Sequence, residues 1–325
     1  MKTIKLFLGL VIVSLSFTSC YIDANHYHDD DPIEISLKDV LTHYDLWYID
    51  YNSTTGYGDV PFVSKAFTMS FQNGRLYANN NIVGLGFTGD GYGIRIGDYN
   101  TYSGVLSIEH TLDGSYDFDV IVDDTNSIRI HNRYEDVTYY LEGYNKSSFD
   151  YDQIFYDNLE YFLQEYDEWE KAFTSIEGEL NAFDNENFLA FTPEDITTFY
   201  SSLDDIDVPV EERRWDFVGN YEVANIYGYD DIKDLTLYYD SGDTEEFELS
   251  VIGGEDKSIS LYHYGSGTTY EFDGYGFIQY KKNGKGTEGR KRFKVIRKTI
   301  KRKVHSTTKK KEHTKNNNIK APARK

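Results

Sequence analysis

The chain has 325 residues, 39% of them hydrophobic and 16% aromatic, with 30 tyrosines and only five prolines. That is material for a sizeable core and, at this length, for two domains. The formal net charge of −22 hides a division: residues 20–280 carry 12 Lys plus Arg against 53 Asp plus Glu, whereas residues 281–325 carry 19 against two. Phosphate repulsion over so acidic a body excludes a nucleic-acid surface there, and it excludes close contact with an anionic membrane.

At the start, Lys2 and Lys5 precede an apolar run from Leu6 to Phe17, then small polar residues. This is the pattern of a secretory signal, and it is too short for a bilayer span of about 20 residues. Cys20, the single cysteine, follows at once, so no disulfide can form within a monomer. The stretch Leu15 to Cys20 resembles a bacterial lipobox, with Phe17 standing where that family has Leu, Val or Ile. The resemblance implies removal of residues 1–19 and a palmitate-type lipid on Cys20. Tyr21, where Asp would resemble an inner-membrane retention signal, then implies the outer membrane. The alternative is an ordinary secreted protein with an unpaired thiol.

Residues 20–33 read as a flexible acidic tether. His26 and His28 beside Asp29 to Asp31 have suitable ligand chemistry, but a spacer supplies no preformed geometry, so no metal site is expected. Residues 34–148 form a first β domain. "DLWYIDY" is strand-like, and "FTMSFQNGRLYANN" is a hairpin turning at Asn73-Gly74. About eight short strands at near-regular spacing predict a meander closing into a barrel or sandwich.

From 149 to 208 the pattern predicts a helical linker. Phe155, Leu159, Phe162, Tyr166 and Trp169 share one face of a helix over 152–173, and Thr192-Pro193-Glu194-Asp195 reads as the start of a second helix. A second β domain then spans 209–298. "SIRIHNRYEDVTYYLEGY" (127–144) aligns without a gap on "SISLYHYGSGTTYEFDGY" (258–275), which points to duplicated domains. The order of an aromatic first strand, "LWYIDY" or "VGNYEV", then an antiparallel meander resembles lipocalin-like lipoprotein domains. The expected fold class is therefore mainly β: two antiparallel β domains with a short α-helical insert.

The basic end is open to several readings. Around residues 290–305 it is either a last strand with Phe293 and Val295 inward, or an amphipathic helix on Phe293, Ile296, Ile300 and Val304. Residues 299–325 read as a disordered tail suited to lipopolysaccharide, an anionic lipid, nucleic acid or the acidic body itself, and a shifted reading frame is a further account.

Motifs for chemistry are weak. "GLGFTG" (84–89) fits a dinucleotide pattern by letters, but an alternating strand follows it where a helix would have to start. No nucleophile elbow, phosphate loop or nucleotidyltransferase H-x-G-H occurs. "DGSYDFD" (113–119) lacks the glycine and terminal glutamate of a calcium loop and reads as a hairpin turn. His43, His110, His131 and His263 each stand alone, and 55 carboxylates select no catalytic pair. Catalytic residues, cofactor and metal are thus all expected to be none. The candidate binding rim is Tyr57, Tyr227 and Tyr229, in the loops "NSTTGYGDV" and "NIYGYDD". The expected function is a lipid-anchored, non-catalytic envelope protein that binds a glycan, a small hydrophobic ligand or an envelope protein. A glycan hydrolase and a carrier in an open barrel are the alternatives.

Overall fold

The computed structural model describes residues 36–280, 290 and 292–305. The signal, Cys20, the tether and residues 306–325 lie outside the described residues.

A short helix, α1 (Leu37–His43), capped by the Ser36 hydroxyl, leads into eight strands. These are β1 (Leu46–Gly56), β2 (Thr68–Gln72), β3 (Arg75–Asn79), β4 (Ile94–Tyr102), β5 (Val105–His110), β6 (Gly114–Asp124), β7 (Ser127–Asn132) and β8 (Val137–Tyr144). Each pairs antiparallel with the next, and β8 returns to β1 to close a barrel. Alternation drives this: in β8, Val137, Tyr139 and Leu141 are buried and the residues between them are not. Asn73 and Gly74 both adopt positive φ, as a two-residue type I′ turn requires. Loop 57–67 and α1 cover one mouth with Leu41, Val60, Phe62 and Val63.

Two helical turns follow, α2 (Tyr151–Asp157) and α3 (Leu159–Leu163), then eight more strands. They are β9 (Tyr166–Thr174), β10 (Phe188–Phe191), β11 (Thr198–Ser202), β12 (Phe217–Ile226), β13 (Lys233–Tyr239), β14 (Thr244–Ile252), β15 (Ser258–His263) and β16 (Thr269–Phe277). The β11–β12 and β16–β9 pairings close this second barrel. A final two-residue strand, β17 (Thr299–Ile300), lies parallel to the end of β12. The chain is therefore mainly β, two closed antiparallel barrels with a small helical insert, as expected.

The boundaries differ from expectation. The helical linker ends at Leu163, not at 208, because Tyr166 to Thr174 is the strand that the second barrel needs to close against β16. The second expected helix is absent. Asp195 accepts from the amides of Thr197 and Thr198, and the β-branched and aromatic run Thr198 to Tyr200 enters β11 from that turn. The second barrel thus starts near residue 159 instead of 209, and "VGNYEV" is its fourth strand, not its first.

The basic segment is neither helix nor free tail. From Arg292 to His305 it runs extended across both barrels, with Phe293 packed on the second core and Ile296 97% exposed. Arg290 is fully buried, donating to Glu165 at 2.7 Å and to Asn80 O at 2.7 Å beneath the Tyr280 ring. Arg292 donates to Ile49 O and Ala66 O of the first barrel. Arg297 forms a buried pair with Glu160 of α3. The acidic body collects this strap because burying a guanidinium is tolerated only where carboxylates and carbonyls converge on it. The glycine-rich loop 80–93 joins the barrels as well: Ile82 and Val83 donate to Glu165, and Gly84 to Asp256. It is a loop between strands β3 and β4, as its sequence implied.

Candidate binding surfaces on two filled barrels

Both interiors are occupied by side chains. Trp47, Phe71, Phe118 and Tyr139 fill the first barrel, and Trp169, Phe183, Phe199, Phe247, Tyr270 and Phe272 fill the second. The pocket between Phe62, Ala78, Ile96 and His110, which reaches the surface at Lys65 and Leu112, holds about 40 Å³, room for a single water and not for a lipid.

The second barrel also buries polar groups at the mouth covered by a one-turn 3-10 helix, 182–185. Lys171 donates to Asp184 O at 2.9 Å among the rings of Phe183, Tyr270 and Phe272. Burial lowers its pKa to about 8, against the pull of Glu186 and Asp184. Glu186 accepts from Tyr239 Oη at 2.8 Å and from Ser201, and burial raises its pKa to about 7. Lys171 is satisfied by the Phe183 and Asp184 carbonyls and Glu186 by Ser201 and Tyr239, and the residues lining the clefts described below do not include them.

One arrangement escaped the sequence. His263 places Nδ1 2.8 Å from Ser266 Oγ and Nε2 2.7 Å from Glu245. These are the members of a hydrolytic triad with the two ring nitrogens exchanged, since there Nε2 faces the serine and Nδ1 the acid. The Ser266 Oγ, however, is also held by Thr268 through its amide and hydroxyl, inside the β15–β16 hairpin. A nucleophile needs a free approach and oxyanion donors. This hydroxyl instead closes a turn.

The loops of the expected tyrosine rim, Tyr57 and Tyr227 with Tyr229, belong to different barrels and are not equivalent in the repeat. Tyr57 is 99% exposed and leaves β1, while Tyr227 and Tyr229 leave β12, the fourth strand of its barrel. In an up-and-down barrel, connections after the first and fourth strands lie at opposite ends. The sequence equated the two loops because it equated β1 with β12. Tyr229 instead lines a cleft of about 680 Å³ with Asp150, Asp152, Asp157, Asp230 and Asp231.

A second cleft, about 570 Å³, lies on the outside of β5, β6 and β7. Asp113, Ser115, Asp117 and Asp119 line it from the β6 side, with Tyr102 and Val105 at one end and the turn 133–135 at the other. Asn132 fixes that turn by donating to Asp117 O and accepting from Glu135 N. Asp136 closes it at positive φ, and Tyr134 projects outward, 92% exposed. Arg133 engages both oxygens of Asp119. The sequence held a signal for this: in the repeat alignment Tyr134 falls opposite Gly265, so a bulky ring stands where the other copy has none.

Among the described residues, no group of three or more His, Cys, Asp or Glu is placed to hold a metal, and no helix is long and apolar enough to cross a membrane. No protein-family model matches the chain, and no curated protein matches it.

Proposed function

We propose that this protein is a lipoprotein of the cell outer membrane, held by a lipid on Cys20, whose double barrel is a non-catalytic binding or scaffolding body. The observation that carries the binding part is that both barrels are filled while exposed tyrosines flank open acidic clefts on their outside. A carrier of a hydrophobic ligand needs interior space, and about 40 Å³ beside Phe62 and His110 does not provide it. A hydrolase of glycans needs, beside a second carboxylate in the same cleft, a carboxyl kept protonated as the acid. Glu186, which burial raises to about 7, is enclosed by Ser201 and Tyr239 and lines neither acidic cleft. The signal-like start and the lipobox-like Leu15 to Cys20 support the anchor.

The test is labelling of native cells with a clickable fatty acid, comparing wild type with Cys20→Ala. Label on the wild type alone, in the outer-membrane fraction, supports the anchor. Label on neither overturns it.

A further inference from the structure

The two barrels can be superposed strand by strand, because Phe118 faces Leu106 as Phe247 faces Leu235. Asp119 faces His131 as Glu248 faces Tyr262. Asp117 and Asp119 of the first barrel therefore occupy the outer-face positions of Glu246 and Glu248 in the second.

In the second barrel that face holds the strap. Arg302 reaches Asp234 at 3.0 Å and Glu246 at 3.2 Å, with its guanidinium 4.4 Å from the centre of the Tyr264 ring. His305 stacks on Tyr262 at 4.8 Å and donates its amide to Glu248 at 2.7 Å. An extended basic segment is thus bound by carboxylates and rings that alternate along the sheet.

The corresponding face of the first barrel is the cleft of about 570 Å³. Asp117 and Asp119 stand there for Glu246 and Glu248, while Val105 replaces Asp234, and His131 and Arg133 replace Tyr262 and Tyr264. The cleft adds Asp113 and Glu135 and offers the rings of Tyr102 and Tyr134 instead. Barrel folding does not demand Tyr134, since Gly265 stands at its counterpart. Resting on the non-catalytic reading above, we propose that this cleft binds an extended, Arg- or Lys-bearing peptide segment of a partner protein. It does so in the way the second barrel binds Lys298 to His305. Arg133 covers Asp119, Tyr102 donates its hydroxyl to Asp117 at 3.3 Å, and His110 Nδ1 stands 3.4 Å from Asp113. The remaining oxygens of Asp113, Asp117 and Glu135 receive the cations, and the two rings flank the chain.

The experiment titrates the full-length protein with a fluorescent synthetic peptide of residues 298–305 at low salt, about 50 mM. The expected result is saturable binding. It weakens at least about tenfold in Asp117→Asn with Glu135→Gln, and similarly in Tyr134→Ala. It is unchanged in Glu246→Gln and fades as salt rises. Circular dichroism of each variant verifies the fold. Absence of saturable binding to folded wild type overturns the proposal, as does loss of binding in Glu246→Gln alone. A glycan array binding through Tyr134 with no peptide bound overturns the peptide assignment but leaves the non-catalytic reading standing. Release of reducing ends from such a glycan overturns both.

Discussion

Trp169 donates its indole N–H to Leu163 O at 2.9 Å, six residues back, and Trp47 does the same to Leu41 O at 2.9 Å. Each tryptophan sits on the first strand of its barrel, opposite a glycine of the last: Gly143 for Trp47 and Gly274 for Trp169. The segments "LKDVLTHYDLW" and "LEYFLQEYDEW" share Leu, Leu, Tyr, Asp and Trp at equal spacing. The duplicated unit is therefore a helical turn, then a tryptophan-bearing strand, then seven strands returning to a glycine.

The glycines are required by contact. A Cβ on Gly143 would meet the Tyr44 ring at 2.3 Å, and one on Gly274 the Tyr166 ring at 2.5 Å. Gly143→Ala and Gly274→Ala are each expected to cost about 1–3 kcal/mol in urea unfolding, the range for overpacking. Adding Tyr44→Ala to Gly143→Ala removes the obstacle, so the double variant should lose less than the sum of the two.

The strap predicts a second result. Buried Glu165 receives Arg290 and the amides of Ile82 and Val83. Glu165→Ala removes the counter-charge of a buried guanidinium, which keeps the carbonyls of Asn80 and Tyr161, and orphans two amides, whereas Arg290→Ala leaves a carboxylate that keeps its amide donors. Both are expected to destabilise by about 3–5 kcal/mol, Glu165→Ala the more. Calorimetry should show the single transition separating into two, since these contacts join one barrel to the other.

Ser266 supplies a third. If its hydroxyl closes the hairpin, a fluorophosphonate probe does not label the native chain, and Ser266→Ala costs about 1 kcal/mol, the scale of one hydrogen bond. Labelling that disappears in Ser266→Ala would identify a nucleophile instead.

Local pattern revealed the first barrel, the Asn73-Gly74 turn, the strand context of loop 84–89 and the repeat at 127–144 and 258–275, because alternation and turn chemistry are short-range. Strand β9 was hidden. Phe155, Leu159, Phe162, Tyr166 and Trp169 keep one helical face, and what ends the helix at Leu163 is the pairing of Trp169 with Gly274, far along the chain. The order of Arg290 and Arg292 was equally unreadable, since their acceptors come from both barrels. The Tyr102–Tyr134 cleft was half legible: the hairpin turn at 113–119 on its β6 side was visible, but the turn 133–135 and the outer-face partners depend on strand register.

Glu186 makes stability depend on pH. Its folded pKa of about 7 lies above the ordinary glutamate value of about 4.3, with burial the chief cause. Between those values the folded state holds a proton that the unfolded chain has released, so this group's contribution falls as pH rises, and its cost is complete above about pH 7. Lys171 acts in another window: with its folded pKa lowered to about 8, its cost is complete below that pH and fades as pH rises toward the ordinary lysine value. Glu186→Gln keeps an oxygen for Tyr239 and Ser201 but cannot ionise. It should therefore raise stability by about 1–3 kcal/mol at pH 8, where Lys171 is half neutral and the loss of its partner matters least. At pH 4.5 the variant and wild type should unfold at nearly the same urea concentration. Equal curves at both pH values would show that Glu186 ionises freely, and a destabilised variant at pH 8 would show that its charge is needed by Lys171.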